Sequence, residues 1–178
     1  RGTKGTAVVM FEPLPERLLG GMSIECNAFP TGTSATREVL ELPLAGVTGL
    51  PSAPVRIMRR RGGSLELAAS APLAASGSDL RLDQGNVPAK VVGRRAHKEC
   101  RVDERSRTMR EKVEITLENP TGAAIDVLVR EPMSRAIGWR IESEDLVGQR
   151  GGPQIQEYRV KVPAKGSKSI VYTVVYSW

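Results

Sequence analysis

The sequence is short of the residues on which most catalytic, metal and stacking sites depend. It has one histidine and two cysteines, and only 4% of its 178 residues are aromatic. No Cys-x-x-Cys or His-x-x-x-His pair is present to begin a zinc site. So few aromatic rings also leave few platforms on which bases or sugars would stack. Metal-dependent and stacking-dependent functions are therefore disfavoured.

The sequence also lacks the motifs of common enzyme classes. No G-x-G-x-x-G, G-x-x-x-x-G-K-[ST] or G-x-S-x-G pattern occurs, so nothing indicates a nucleotide cradle or a serine hydrolase. The pairs Gly62-Gly63 and Gly151-Gly152 precede no helical pattern and are better read as turns. The acidic residues of the predicted strands mostly alternate outward beside lysine or arginine, which favours cross-strand ion pairs over a glycosidase pair.

His97, the only histidine, is a poor candidate for a general base. Its neighbours Arg94, Arg95 and Lys98 would not orient an imidazole as a carboxylate does. It also lies on the polar parity of its strand, so we expect a solvated surface histidine. Alternation puts His97 and Cys100 on opposite faces, which disfavours a shared metal site. The sequence thus predicts a protein that is not an enzyme, with no metal and no cofactor.

The two cysteines, Cys26 and Cys100, both lie on strand-like patterns. We expect buried free thiols in a reducing compartment, which favours an intracellular location. A single disulfide that joins two sheets is the alternative.

Long apolar runs are absent as well. No run approaches the ~18 residues that a membrane-spanning helix requires. The sequence begins at Arg1 and has no signal-peptide pattern, so it is expected to be a processed or excised piece of a longer protein.

What the sequence has in surplus is positive charge, with a net charge of +6 and a pI near 9.7. Most of the basic residues alternate outward on predicted strands, which favours a solvated surface over a polyanion site. Two basic clusters would form one positive face if their strands were neighbours. The clusters consist of Arg59, Arg60 and Arg61, and of Arg94, Arg95 and Lys98.

Alternating strand patterns run along most of the chain. The clearest is at 109–119, where Met109, Val113, Ile115 and Leu117 share one parity and charged residues occupy most of the other. Gly62-Gly63 predicts a hairpin turn between two further strands. The predicted strands are 6–12, 22–29, 37–42, 55–60, 64–68, 80–82, 90–102, 109–119, 125–129, 137–141, 158–162 and 170–178.

These patterns predict an all-β, immunoglobulin-like antiparallel β-sandwich with very little helix. Three segments are distinguished, 1–50, 51–106 and 107–178, with a single domain as the alternative. A short sequence similarity between 11–17 and 130–135 would fit two packed sandwich halves, and chance explains it equally well.

Trp139 is predicted to be the central buried residue of the core, around which the two sheets pack. It would pack against Val113, Ile115, Val160 and Val174.

The C-terminal half resembles a known domain. The relevant segments are 110–119 (REKVEITLEN), 127–132 (VLVREP), 139–141 (WRI), 158–164 (YRVKVPA) and 172–174 (YTV). Their succession resembles the C-terminal β-domain of mucoidy-inhibitor-A-like proteins, a domain of unknown function. The likeness is clearest over 87–178 and weaker over 55–85. It implies a sandwich at the end of a longer protein, and it brings no catalytic residues.

The function that follows is a non-catalytic protein-interaction or scaffold module at the C-terminal end of a larger protein. Its partner would be another protein or a second copy of the chain. The alternative is a domain that binds a polyanion, either nucleic acid or an acidic protein, through the two basic clusters.

Overall fold

The computed structural model describes residues 6–13, 24–26, 32–43, 54–71 and 79–178. All regular structure in these residues is β-strand, which confirms the predicted all-β class. Within them, no helix has the length and apolarity needed to cross a bilayer. The strands are β1 (Thr6–Phe11), β2 (Gly32–Pro43), β3 (Val55–Arg61), β4 (Ser64–Ala71), β5 (Asp79–Asp103), β6 (Thr108–Asn119), β7 (Ile125–Pro132), β8 (Gly138–Glu144), β9 (Gln149–Gly152), β10 (Ile155–Val162) and β11 (Gly166–Ser177).

Strand β6 forms as its alternation predicts. Met109, Val113, Ile115 and Leu117 are all fully buried, and the charged residues between them are half-buried or exposed except Glu111, which is buried on the same face. Asn119 ends the strand, because its carboxamide oxygen accepts hydrogen bonds from the backbone amide and the hydroxyl of Thr121 at 3.0 and 2.7 Å. Such side-chain bonds replace the strand ladder with a turn.

Nine strands form one sheet, in the order β8-β11-β6-β5-β2-β1-β7-β10-β9. Neighbouring strands are antiparallel except β1 and β7, which run parallel. β11 lies between β8 and β6, as expected for a strand that is apolar on both parities. β3 and β4 pair with each other as a separate two-stranded sheet.

The large sheet folds back on itself into a sandwich-like arrangement. The ring of Tyr158 on β10 stacks on that of Tyr172 on β11, with centroids 5.8 Å apart. The strands at the two ends of the sheet also meet, because Arg150 on β9 donates a hydrogen bond of 3.1 Å to the carbonyl oxygen of Trp139 on β8. One core therefore lies between the two halves of a single sheet.

This sheet crosses the segments that the sequence distinguished. β1 and β2 come from 1–50, β5 from 51–106, and β6 to β11 from 107–178, yet all hydrogen-bond in one sheet. The boundary predicted between the first two segments, at residue 50, lies outside the described residues. Of the strands in 51–106, only the β3–β4 hairpin stands apart from the sheet.

Trp139 is buried, but it is not at the centre of the core. It lies on the edge strand β8, where its indole Nε1 donates a hydrogen bond of 2.8 Å to the carbonyl oxygen of Pro153. The guanidinium of Arg150 covers its ring at 4.1 Å from the centroid. Trp139 therefore closes the seam between β8 and β9. The buried cluster that contains it also contains Val113, Ile115, Val160 and Val174.

The strand predicted at 137–141 is wrong at its first residue, Ile137. Strand β8 begins at Gly138, and the Ile137 side chain is 80% exposed. Alternation holds only where a strand is paired, and Ile137 precedes the first paired residue.

The expectation of free thiols is also wrong, because Cys26 and Cys100 form a disulfide. The strand predicted at 22–29 is not seen in its described part, 24–26, which is irregular and ends in a turn. Alternation along a single segment carries no information about which cysteine lies beside it in space. The expected reducing compartment depended on free thiols and loses that basis.

Candidate functional site

Ionisable side chains are buried between the two halves of the sandwich. Arg95 on β5 donates its Nε hydrogen to Oε1 of Glu131 on β7 at 2.7 Å. The Tyr172 hydroxyl on β11 donates to the same oxygen at 2.7 Å. All three side chains are buried. A buried charge is tolerated when it is paired and hydrogen-bonded, which these contacts provide.

A second group adjoins the disulfide end of the sandwich. His97 Nε2 lies 3.0 Å from Oε1 of the buried Glu111, and the guanidinium of Arg135 forms an ion pair with the same carboxylate. Arg135 also donates to the carbonyl oxygen of Glu25 at 2.8 Å, beside Cys26. The name inner network is used below for six residues: Arg95, Glu131, Tyr172, His97, Glu111 and Arg135.

His97 is not the solvated surface histidine that the sequence predicts. The register between β5 and β6 shifts between His97 and Glu99, so Lys98 is the extra residue of a β-bulge. The bulge reverses the alternation, and His97 and Cys100 both come to the inner side of the sheet. The imidazole is therefore only 16% exposed.

Burial and neighbouring charges shift several pKa values within the inner network. Burial acts to raise the pKa of Glu111, but the neighbouring His97 and Arg135 outweigh it and hold the pKa below its ordinary value. Burial acts to lower the pKa of Arg95, and the charge of Glu131 outweighs it. Burial and Glu131 raise the pKa of Tyr172 well above its ordinary value. These interactions favour the ionised forms of Glu111 and Arg95 and the neutral form of Tyr172.

On the other face of the sheet from the inner network, a series of alternating charges crosses β5, β2, β7 and β10. Arg130 bonds Glu12 at 2.8 Å and Glu157 at 3.1 Å, and Glu157 in turn bonds Arg81 at 2.5 Å. The register puts this series on the face that carries a small apolar cluster of Val8, Met10, Val39 and Leu128. Among the described residues, the series runs Arg37, Glu12, Arg130, Glu157, Arg81, Glu41 and Arg159.

The two basic clusters predicted from the sequence do not form one positive face by strand pairing. Arg95 is buried against Glu131, so a polyanion cannot contact it in the folded sandwich. Lys98 lies 2.5 Å from Glu114, while Arg94 is exposed on β5. Residues 59–61 end β3 in the other sheet, where Arg60 and Arg61 are exposed.

The β3–β4 hairpin carries the predicted turn. Arg61 pairs with Ser64 across Gly62 and Gly63, whose φ angles of 54° and 89° are both positive. Two consecutive positive φ angles define the tight turn that glycine pairs favour, so the sequence prediction is confirmed. At the base of the hairpin, Ile57 is buried and β4 approaches β5.

One face of this hairpin exposes large apolar side chains. Met58 is 46% exposed, and Leu65 and Leu67 are 57% and 60% exposed. Met58 pairs with Leu67 and Arg60 with Leu65, so these four residues share a face. They are called the hairpin face below. Alternation in the sequence predicted the two strands, but it could not predict that this face is exposed to solvent.

The part of the chain that the structure describes offers no metal constellation. Within it there is no group of three or more histidine, cysteine or carboxylate side chains that could hold a metal ion. Comparison of the chain with protein-family models, curated proteins and solved structures finds no match. The resemblance to mucoidy-inhibitor-A-like proteins stays a prediction. The hairpin face is the candidate functional site.

Proposed function

We propose that this domain is a non-catalytic protein-interaction module in which the β3–β4 hairpin is the docking element. The observation that carries the proposal is the exposure of Met58, Leu65 and Leu67 side by side on one face. Apolar side chains clustered in water are unfavourable, and such clusters commonly mark interaction sites.

The inner network supports a role without catalysis. Its carboxylates, guanidinium groups and imidazole contact one another inside the sandwich. A general base has to reach the proton that it removes, and a nucleophile has to reach the substrate. The described cysteines, Cys26 and Cys100, are bridged and supply no thiolate. These groups support the sandwich as a scaffold that presents the hairpin.

The hairpin is well suited to docking because burial of its described side chains is confined to its base. Ile57 is buried at its base, while Leu65 and Leu67 lie nearer the turn and are exposed. A two-stranded hairpin on its own is marginally stable in water. Contact with a partner would cover the hairpin face and add to the stability of both strands.

The test begins with covalent cross-linking in cells that express the protein, followed by mass spectrometry to identify the cross-linked partner. That partner is then purified and titrated against wild type and against a Met58→Ser/Leu65→Ser/Leu67→Ser variant. We expect the triple variant to raise Kd at least ~10-fold, because burying such side chains is worth about 1.5–3 kcal/mol each.

The matched control is Ile137→Ser/Val147→Ser, which removes exposed apolar side chains far from the hairpin in sequence. It should leave Kd unchanged. An unchanged Kd for the triple variant, or equal weakening by the control, would overturn the hairpin as docking element. Circular dichroism of each variant checks that the fold is retained.

A further inference from the structure

The hairpin face combines apolar contact area with a surplus of positive charge. Arginines in β3 outnumber the one acidic residue of the hairpin, Glu66. Arg60 lies on the hairpin face opposite Leu65, and Arg61 adjoins the turn. Among the described residues, no carboxylate forms an ion pair with Arg56, Arg60 or Arg61, whereas most arginines of the large sheet are paired.

From this arrangement we infer that the hairpin face binds an acidic protein segment that carries apolar side chains. The inference rests on the proposed function and names the chemistry of the partner. Apolar side chains of the segment would cover Met58, Leu65 and Leu67, and its carboxylates would reach Arg60 and Arg61. Arginine pairs with carboxylates through two parallel hydrogen bonds, which adds geometric specificity to the charge attraction.

The spacing of the apolar residues fits an extended segment. Leu65 and Leu67 are separated by one residue on β4, so their side chains lie about 6.6–6.8 Å apart along the strand. Alternate side chains of an extended partner have the same spacing, and this match is the basis of many strand-like peptide contacts.

Charge argues against a second copy of the chain as the occupant. Two hairpin faces brought together would oppose cationic hairpins, each with Arg60 in the middle of the contact. Like charges brought together in a desolvated contact repel strongly and destabilise the contact. The chain as a whole also carries a net charge of +6, which adds long-range repulsion between copies.

The shape of the tip argues against a lipid surface, and the composition argues against nucleic acid. The outermost residues are Arg61, Gly62, Gly63 and Ser64, so insertion into a bilayer would bury a guanidinium before Leu67 reached the hydrocarbon. The hairpin has no aromatic residue on which a base would stack. Exposed leucines would also contribute little to contacts with phosphates.

The experiment uses labelled synthetic peptides and fluorescence anisotropy with the whole chain. The first peptide alternates glutamate with leucine between glycine ends; the second replaces glutamate with lysine, and the third replaces leucine with serine. We expect the first peptide to bind at least ~10-fold more tightly than either of the others, and its binding to weaken as salt is raised.

Variants then assign the binding to the hairpin. Arg60→Ser/Arg61→Ser and Leu65→Ser/Leu67→Ser should each raise the Kd of the first peptide at least ~10-fold. The control Arg94→Ser/Lys98→Ser removes positive charge from β5 and should have little effect. Equal loss with this control would mean that the peptide responds to overall charge, and would overturn the inference.

Three further measurements test the other candidate partners of the hairpin face: a lipid surface, nucleic acid and a second copy of the chain. The protein is tested with phosphatidylcholine vesicles containing phosphatidylserine, with a 20-base-pair DNA duplex of mixed sequence, and by sedimentation alone. Tighter binding to vesicles or DNA than to the first peptide, or self-association that Leu65→Ser/Leu67→Ser removes, overturns the acidic-segment inference. So does absence of peptide binding.

The two proposals fail in different ways. If the peptide does not bind but the cross-linked partner loses affinity for the Met58→Ser/Leu65→Ser/Leu67→Ser variant, the docking element stands and the acidic chemistry is wrong. If the hairpin variants change the Kd of neither the first peptide nor the cross-linked partner, both proposals are wrong.

Discussion

Arg95 and Glu131 join the two halves of the sandwich through a buried ion pair, with Nε 2.7 Å from Oε1. Arg95 belongs to β5 and Glu131 to β7, strands that are separated in the sheet by β2 and β1. The hydroxyl of Tyr172 shares the same carboxylate oxygen. The pair therefore forms only when the sheet folds back on itself. The loss of unfolding free energy when the pair is broken measures how well the two halves pack.

Replacing Arg95 with methionine should destabilise the domain by about 3–5 kcal/mol, because it leaves the Glu131 carboxylate buried without its cation. The loss is measured as the free energy of unfolding in urea. Arg94→Met, at the exposed neighbouring position, is the control and should change stability little. A loss below about 1 kcal/mol for Arg95→Met would contradict the buried pair.

Stability should fall in acid through Glu111. Because its pKa is lower in the folded protein, this carboxylate contributes stability that is complete above its unfolded pKa of about 4.3. The contribution is lost as pH falls through the lower, folded pKa. Glu111→Gln should therefore weaken the dependence of unfolding free energy on pH below about 4.3. Glu118→Gln, at an exposed position on the same strand, should leave the dependence almost as in wild type.

The two tryptophans offer a matched pair. Trp139→Ala should cost about 3–5 kcal/mol, because it opens a cavity at the seam between β8 and β9. It also removes the surface on which Arg150 stacks. Trp178 is exposed at the chain end, so Trp178→Ala should cost much less. Thermal unfolding followed by far-ultraviolet circular dichroism distinguishes the two. Similar melting temperatures for both variants would place Trp139 outside the packed seam.

The disulfide between Cys26 and Cys100 should stabilise the domain substantially. It joins residues 74 apart in sequence, and closing a loop of that size removes about 4 kcal/mol of conformational freedom from the unfolded chain. Cys26→Ser/Cys100→Ser should unfold at a lower urea concentration than wild type. Dithiothreitol should bring wild type to the level of the variant and leave the variant unchanged. Free thiols titrated in unreduced, denatured wild type would contradict the bridge.

Local patterns in the sequence determined the class of fold and many of its strands. Alternation placed Val113 and Ile115 inside because a paired strand repeats every two residues whatever lies beyond it. Gly62-Gly63 determined a tight turn because few other residue pairs adopt two positive φ angles. Such features depend on neighbours in sequence, so they could be read without knowledge of the packing.

Tertiary structure decided the features that depend on partners far away in sequence. His97 and Cys100 both face inward because a bulge between them, which depends on the register with β6, reverses the alternation. Arg95 pairs with a carboxylate on a strand that is not its neighbour, and Cys26 meets a cysteine 74 residues away. Whether Leu65 and Leu67 are covered depends on where the hairpin stands relative to the large sheet. Alternation assigns a side chain to a face of its strand, and only the packing of the strands decides whether that face meets water, a charge or a partner.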